Sequence, residues 1–306
     1  MSSDDPSNVP APSDRREAVR EKAQRVQVRH ARLRKLRIAG LSVLGIVVVA
    51  AIVTGVVLAI SSKTSQPLLS PRNLDADGGI PITSVAGVDF SADAGSDPTA
   101  TPTATTAPTP SPTSASTVDI RVYVDFLASG SQEFELANAE QIATWFTAGS
   151  ATVTYYPVSM LTAKSNGTKY SLRAAASAAC VATYSPDTAF AFTHSLLAQQ
   201  PAVDSSGLSD SELADVADAA GVESADRVRS CIEDEDYVSW AKNVTDAALA
   251  GIPGTDGLKL TGTPLVLVNG QEYQGSLDDP KEFAQFVLTT ASDSYYSGTA
   301  SPTATP

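Results

Sequence analysis

Ile38 to Ile60 runs for 23 residues without a charge, and no other stretch constrains this chain so strongly. As a helix it would be roughly 35 Å long, enough to cross a hydrocarbon core of about 30 Å. A soluble helix of that length would carry a polar face, and this one has none. Val57-Leu58-Ala59 resembles a processing site, but the apolar run and the region before it are too long for a cleavable signal peptide. Residues 38–60 are therefore expected to be a transmembrane helix acting as a signal-anchor.

The charge pattern orients the span. Residues 1–37 hold ten lysines and arginines against five acidic residues, whereas the rest of the chain holds eleven against twenty-nine. Arg25, Arg29, Arg32, Arg34, Lys35 and Arg37 crowd one side of the span, and only Lys63 and Arg72 closely follow the other. The positive-inside rule puts the N-terminus in the cytoplasm and everything after Ile60 outside it. An acidic body also excludes nucleic acid as a partner, because phosphates would be repelled.

Beyond the span, residues 61–117 read as an extracytoplasmic Thr/Pro-rich linker. The stretch 96–117 is low-complexity, cannot bury a core, and is stiffened by its prolines. Residues 78–84 within it are a candidate leading strand. Residues 292–306 have the same polar character and are expected to form a disordered tail.

The informative part lies between. Val118–Phe126 alternates and is β-branched, so a strand is expected. Gln132–Phe146 carries a helical stripe of Phe134, Ala137, Ile142, Trp145 and Phe146. Ala151–Met160 reads as a second strand. From about 170 to 250 several helices follow, with start signals at Ser185-Pro186-Asp187 and Ser209-Asp210-Ser211-Glu212 and stop signals at Gly207, Gly221 and Gly251. Pro264–Val268, an Asn269-Gly270 turn, Gln271–Gln274 and a helix over Asp279–Thr290 close the series. This order is β-α-β, a helical block, β-β, then α. The expected class is α/β, a thioredoxin-like fold with an inserted helical domain, over residues 118–291.

Asp125-Phe126-Leu127-Ala128-Ser129-Gly130-Ser131 resembles the D-[FY]-x-C-P-x-C motif of the DsbA-like family of exported bacterial thiol–disulfide oxidoreductases. The similarity continues through Phe134-Glu135 and Asn138, the Ala-rich Arg173–Val181 with its cysteine, and Phe190–His194 followed by Leu197–Pro201. Gly262-Thr263-Pro264 and Asn269-Gly270 are similar to the family's cis-proline loop and closing hairpin. Gly78–Ile82 corresponds to its leading strand, displaced by the Thr/Pro insertion.

The departure is at the centre. Ala128 and Ser131 stand where the two catalytic cysteines of the family belong, and Ser129 stands at its proline. Thiol–disulfide exchange needs a thiolate to attack and a second thiol to release the mixed disulfide. Alanine has nothing to ionise, and a serine hydroxyl accepts no electrons. The resemblance therefore implies a pseudo-oxidoreductase with no catalytic residue at Ala128 or Ser131. Ser131 as a nucleophile would need a relay through His194, for which no partner is evident. Its other reading is helix N-cap, a role shared by Ser129 with Gln132 in a capping-box pattern.

Cys180 and Cys231 are the only cysteines. An even pair in an exported domain points to a disulfide, and some family members carry one at this spacing. A relocated redox pair and a reduced, buried pair are the alternatives. The resemblance further implies that the backbone at Thr263-Pro264 pairs with an extended substrate chain; the other reading is that the proline only shapes the fold. No metal-ligand spacing, P-loop or dinucleotide fingerprint is present, so no cofactor or metal is expected. The expected function is a membrane-anchored module that binds an extended polypeptide or an envelope protein. The alternative is an envelope thiol–disulfide oxidoreductase using Cys180/Cys231 or the thiols of a partner.

Overall fold

The computed structural model describes residues 69–88, 90 and 117–298. The basic segment 1–37, the span 38–60, most of the linker and the end of the tail lie outside the described residues. No described helix is long and apolar enough to cross a membrane.

Five strands form one sheet in the order β1-β3-β2-β4-β5. They are β1 (Ile80–Pro81), β2 (Val118–Val124), β3 (Ala151–Pro157), β4 (Leu265–Val268) and β5 (Gln271–Glu272). β2 and β3 are parallel, with Val118 opposite Ala151 and Tyr123 opposite Tyr156. β1 adds antiparallel to β3, β4 antiparallel to β2, and β5 antiparallel to β4. The parallel pair needs a crossover, and α1 (Ser129–Thr147) supplies it. Asn269 and Gly270, both at positive φ, make the tight turn that brings Val268 opposite Gln271.

Between β3 and β4 come α2 (Tyr170–Tyr184), α3 (Ala189–Ala198), α4 (Asp210–Ala219), α5 (Ala225–Glu233) and α6 (Val238–Ala250); α7 (Pro280–Gly298) follows β5. The start of α4 is fixed locally. The Ser209 hydroxyl accepts the Glu212 N–H, and the Glu212 carboxylate accepts the Ser209 N–H at 2.7 Å, a full capping box. Gly207 does not stop a helix. α3 has already ended before Pro201, and Gly207 sits at φ +65° where a Cβ would lie 2.3 Å from the Tyr170 ring. Close packing against that ring, rather than helix termination, requires glycine there.

The period-2 pattern of β2 divides the interior. Val118, Ile120, Val122 and Val124 join Phe134 and Ile142 of α1, Phe283 of α7 and much of α2–α5 in one large core. Tyr123 joins a smaller cluster with Tyr156, Leu265 and Leu267 of the sheet and Val244 and Ala248 of α6. The last helix of the 170–250 block thus packs on the sheet itself. Phe283 is fully buried, while Trp145 and Trp240 are only half-buried against the clusters.

Several element ends differ from the sequence expectation. β2 stops at Val124 and β3 at Pro157, because the following residues turn away to shape the site. α7 continues to Gly298, past the boundary placed at 291: Thr290 is buried and accepts the Ser294 hydroxyl at its carbonyl, so the polar composition of 292–298 did not prevent helix.

Candidate functional site

At the end of β2 the chain turns through Asp125, Phe126 and Leu127, all with no exposed surface, and enters α1 at Ser129. Ala128 is the residue before the helix (φ −87°, ψ 119°), and no side chain caps the helix. The capping roles expected of Ser129 and Ser131 are therefore not realised. Ser131 lies in the first turn, fully buried, and its hydroxyl accepts the backbone N–H of Asp125 at 3.2 Å. Gln132 does not complete a capping box, since its amide donates to the Leu197 carbonyl at 2.9 Å and so ties α1 to α3. Gln200 donates to the Ala128 carbonyl at 3.1 Å and secures the corner from the other side.

Asp125 organises this corner. Its carboxylate accepts the Leu127 N–H at 2.9 Å, the Leu161 N–H at 2.8 Å and the Ser171 hydroxyl at 2.8 Å. One side chain thus joins the corner, the loop after β3 and the start of α2. Burial pushes its pKa above the ordinary aspartate value, and the hydrogen bonds from Leu161, Leu127 and Ser171 pull against that shift.

The loop before β4 comes up against the corner. The Thr263-Pro264 peptide is cis, and a Cβ placed on Gly130 would lie 3.0 Å from Pro264 Cδ and 3.3 Å from the Thr263 carbonyl. Gly130 therefore permits an approach that a larger residue would crowd. A groove of about 300 Å³ opens here, lined by Ala128–Gly130 from the corner, Thr261–Thr263 from the loop, and Met160, Leu161 and Val203. It holds no sulfur nucleophile and no charged residue. Thr263 makes no backbone hydrogen bond to any described residue, so its peptide groups are open to an added chain.

His194 turns toward a different partner from the one a serine relay requires. Its Nδ1 lies 3.2 Å from the buried Glu135 carboxylate, whose other oxygen accepts the Tyr155 hydroxyl at 2.7 Å. Sequence reasoning noted Glu135 only as part of a motif. That Ser131 and Glu135 stand four apart on the inward face of α1 was the available signal.

Cys180 on α2 and Cys231 on α5 are joined by a disulfide, with Cα atoms 5.8 Å apart. Both are within 2% of full burial. Cys180 lies nine residues along α2 from Ser171, which touches the corner, or roughly 14 Å of helix. The two sulfurs are not brought to the groove. Among the described residues no His/Cys/Asp/Glu cluster could hold a metal.

A family model described as thioredoxin matches residues 113–287, more than half of the chain. The chain belongs to the thioredoxin family. Among solved structures, oxidised DsbA from Mycobacterium tuberculosis is similar, at 23% identity and a TM-score of 0.51, with 73% of this chain and 100% of that one covered. The reduced disulfide bond oxidoreductase DsbG from Mycobacterium tuberculosis gives 25% identity and a TM-score of 0.49, over 60% of this chain and 86% of that one. BdbD from Bacillus subtilis gives 17% and 0.48, over 57% and 88%. No curated protein sequence matches. The DsbA likeness carries the fold, a thioredoxin-like α/β sheet with added helices. What this family member does follows from its own residues.

Proposed function

We propose that this thioredoxin-family chain is a membrane-anchored, extracytoplasmic binding module that holds an extended polypeptide without covalent capture. The groove between Ala128 and Thr263 is its site. The observation that carries this reading is the pairing of Ala128, at the strand-to-helix corner, with an unpaired Thr263 backbone across a cis-proline loop. An extended chain can add to that backbone as a further strand, while Met160, Leu161 and Val203 offer apolar contact. Electron transfer is not part of the reading, because neither Ala128 nor Ser131 can carry a thiolate. The anchor is the apolar run 38–60, with the N-terminus in the cytoplasm and the domain outside. The partner is an envelope polypeptide, not nucleic acid.

A second reading is thiol–disulfide exchange through Cys180/Cys231 or through the thiols of a partner. It draws support from the disulfide itself and from the fold shared with Mycobacterium tuberculosis DsbA. Burial of both sulfurs weighs against it, since an attacking thiolate must reach one of them.

The two readings separate in one set of measurements on the full chain in detergent micelles. The binding reading expects peptide retention in a labelled-peptide titration, loss of about tenfold in affinity on Val203→Glu at the exposed rim, and no insulin reduction. Turnover by the unmodified chain that disappears in Cys180→Ser would establish the second reading instead. A labelled extended peptide that never binds would remove the first. Introducing Ala128→Cys with Ser131→Cys is expected to create a dithiol that cycles, because the corner geometry is already in place.

A further inference from the structure

The sheet ends differently on its two sides. On β1, Ile80 lies opposite Tyr155 and the Ile82 N–H donates to the Val153 carbonyl, so Pro81 between them faces outward. Proline has no N–H, and that edge lacks the donor a further strand would use. On β5, the Tyr273 N–H donates to the Val266 carbonyl at 2.9 Å, which makes Val266 and Tyr273 a hydrogen-bonded pair. Pairing alternates along an antiparallel ladder, so Glu272, opposite Leu267, turns its N–H and carbonyl away from β4. Gln274 makes no backbone hydrogen bond to a described residue either. Among the described residues, the outer side of β5 is an open edge.

A groove of about 470 Å³ runs along this edge, between Glu272–Gly275 and the face of α7 that carries Glu282 and Phe286. Phe286 is half-buried, with its ring centroid 5.3 Å from that of Tyr273, so the groove offers an apolar surface beside the open backbone.

Its charge is one-sided. Residues 269–298 hold five carboxylates, at Glu272, Asp278, Asp279, Glu282 and Asp293, and one base, Lys281. Glu272 and Glu282 line the groove. Each gives one oxygen to a local donor, the Gln274 amide at 3.2 Å and the Ser276 N–H at 3.0 Å, and keeps the other. Burial raises the Tyr273 pKa to about 12, and Glu282, Asp279 and Asp278 reinforce the shift, as a negative surface does. A second copy of this chain would bring the same acidic edge against itself, and like charges facing each other across strands destabilise pairing. A basic chain meets the opposite charge.

We propose that the outer edge of β5 is a second docking surface, distinct from the groove at Ala128, that takes an extended basic polypeptide as an added strand. Its backbone would bond the outward N–H and carbonyl groups of Glu272 and Gln274. Its lysines or arginines would face Glu272 and Glu282, with an apolar side chain against Phe286. Main-chain pairing holds the strand, and charge selects it.

Fluorescence anisotropy on the full chain in detergent micelles tests this with the labelled hexapeptide acetyl-Lys-Val-Lys-Val-Lys-Val-amide and its glutamate counterpart. The lysine peptide is expected to bind about tenfold more tightly than the glutamate peptide. Its affinity should fall about fivefold when salt rises from roughly 50 mM to roughly 500 mM. Glu272→Gln with Glu282→Gln should cost the lysine peptide about tenfold. Neither side chain is buried, and an amide oxygen still accepts the local hydrogen bonds, so the fold is kept. Hydrogen exchange on the unmodified chain locates the contact: the Glu272 and Gln274 amides should slow about tenfold at saturating peptide. A lysine peptide methylated on every backbone nitrogen should not bind, because it has no N–H to give to an edge. Equal affinity for the two peptides, undiminished affinity in the double variant, binding by the methylated peptide, or unprotected Glu272 and Gln274 amides would overturn the proposal.

Discussion

The corner at Ala128 and the disulfide between Cys180 and Cys231 hold separately what a dithiol enzyme holds together. The corner has geometry: a strand feeding a helix, a cis-proline loop against Gly130, and a groove open to a chain. It has no sulfur. The helical layer has sulfur in a buried bond, and neither cysteine lines the groove at the corner. The shape of the corner is made by backbone and by the hydrogen bonds of Asp125, and it needs no cysteine.

The strongest test of that contrast is removal of the disulfide. Cys180→Ala with Cys231→Ala opens a loop of 51 residues of separation and is expected to cost about 4 kcal/mol in the chain-entropy model. Denaturant melts of the full chain with and without the pair would measure it. A loss far below that, with the native bond reduced by mild dithiol in the folded protein, would break the assignment of a structural role.

Next in size is Asp125→Ala. It would leave the Leu127 and Leu161 N–H groups and the Ser171 hydroxyl without their acceptor, at a cost of about 3 kcal/mol. Peptide affinity at the groove should fall with it, because the Leu161 wall loses its tether. Unchanged stability would show that the corner is held by other contacts. Ser131→Ala is the milder version: losing the acceptor for the Asp125 N–H should cost about 1 kcal/mol, read in the same melts.

The smallest effect is a pH dependence. The Asp125 pKa is raised in the folded state, so the folded chain binds the proton more tightly than the unfolded one. Its contribution to stability is then full below the ordinary aspartate value and declines as pH rises through the folded pKa. A carboxyl carbon titration by NMR should place the Asp125 midpoint above the ordinary aspartate value, and a midpoint below that value would reverse the sign.

How much of this was legible in the sequence varies by kind of residue. The β2 pattern of Val118, Ile120, Val122 and Val124 and the Asn269-Gly270 hairpin are local signals, and the structure uses them as read. The Ser209/Glu212 box marks the start of α4 for the same reason. Ser131 was misread as a cap because composition shows which residues can cap but not which one precedes the helix. Here the turn at Asp125–Leu127 puts Ala128 in that position, and Ser131 is carried inside. The end of α7 was misplaced because a polar run looks like tail until burial of Thr290 holds its last turns.

The identities at 128 and 131 alone determined that no thiolate can form at the corner, since that depends on covalent chemistry and not on surroundings. Periodicity determined which strands and helices would form. Only the tertiary structure decided that Gly130 meets Pro264, that Asp125 joins three segments, and that Tyr156 donates to Asp75, because each pairs residues separated by tens of positions or more. Those contacts are set by how the two sheet faces are covered, and no local pattern encodes that.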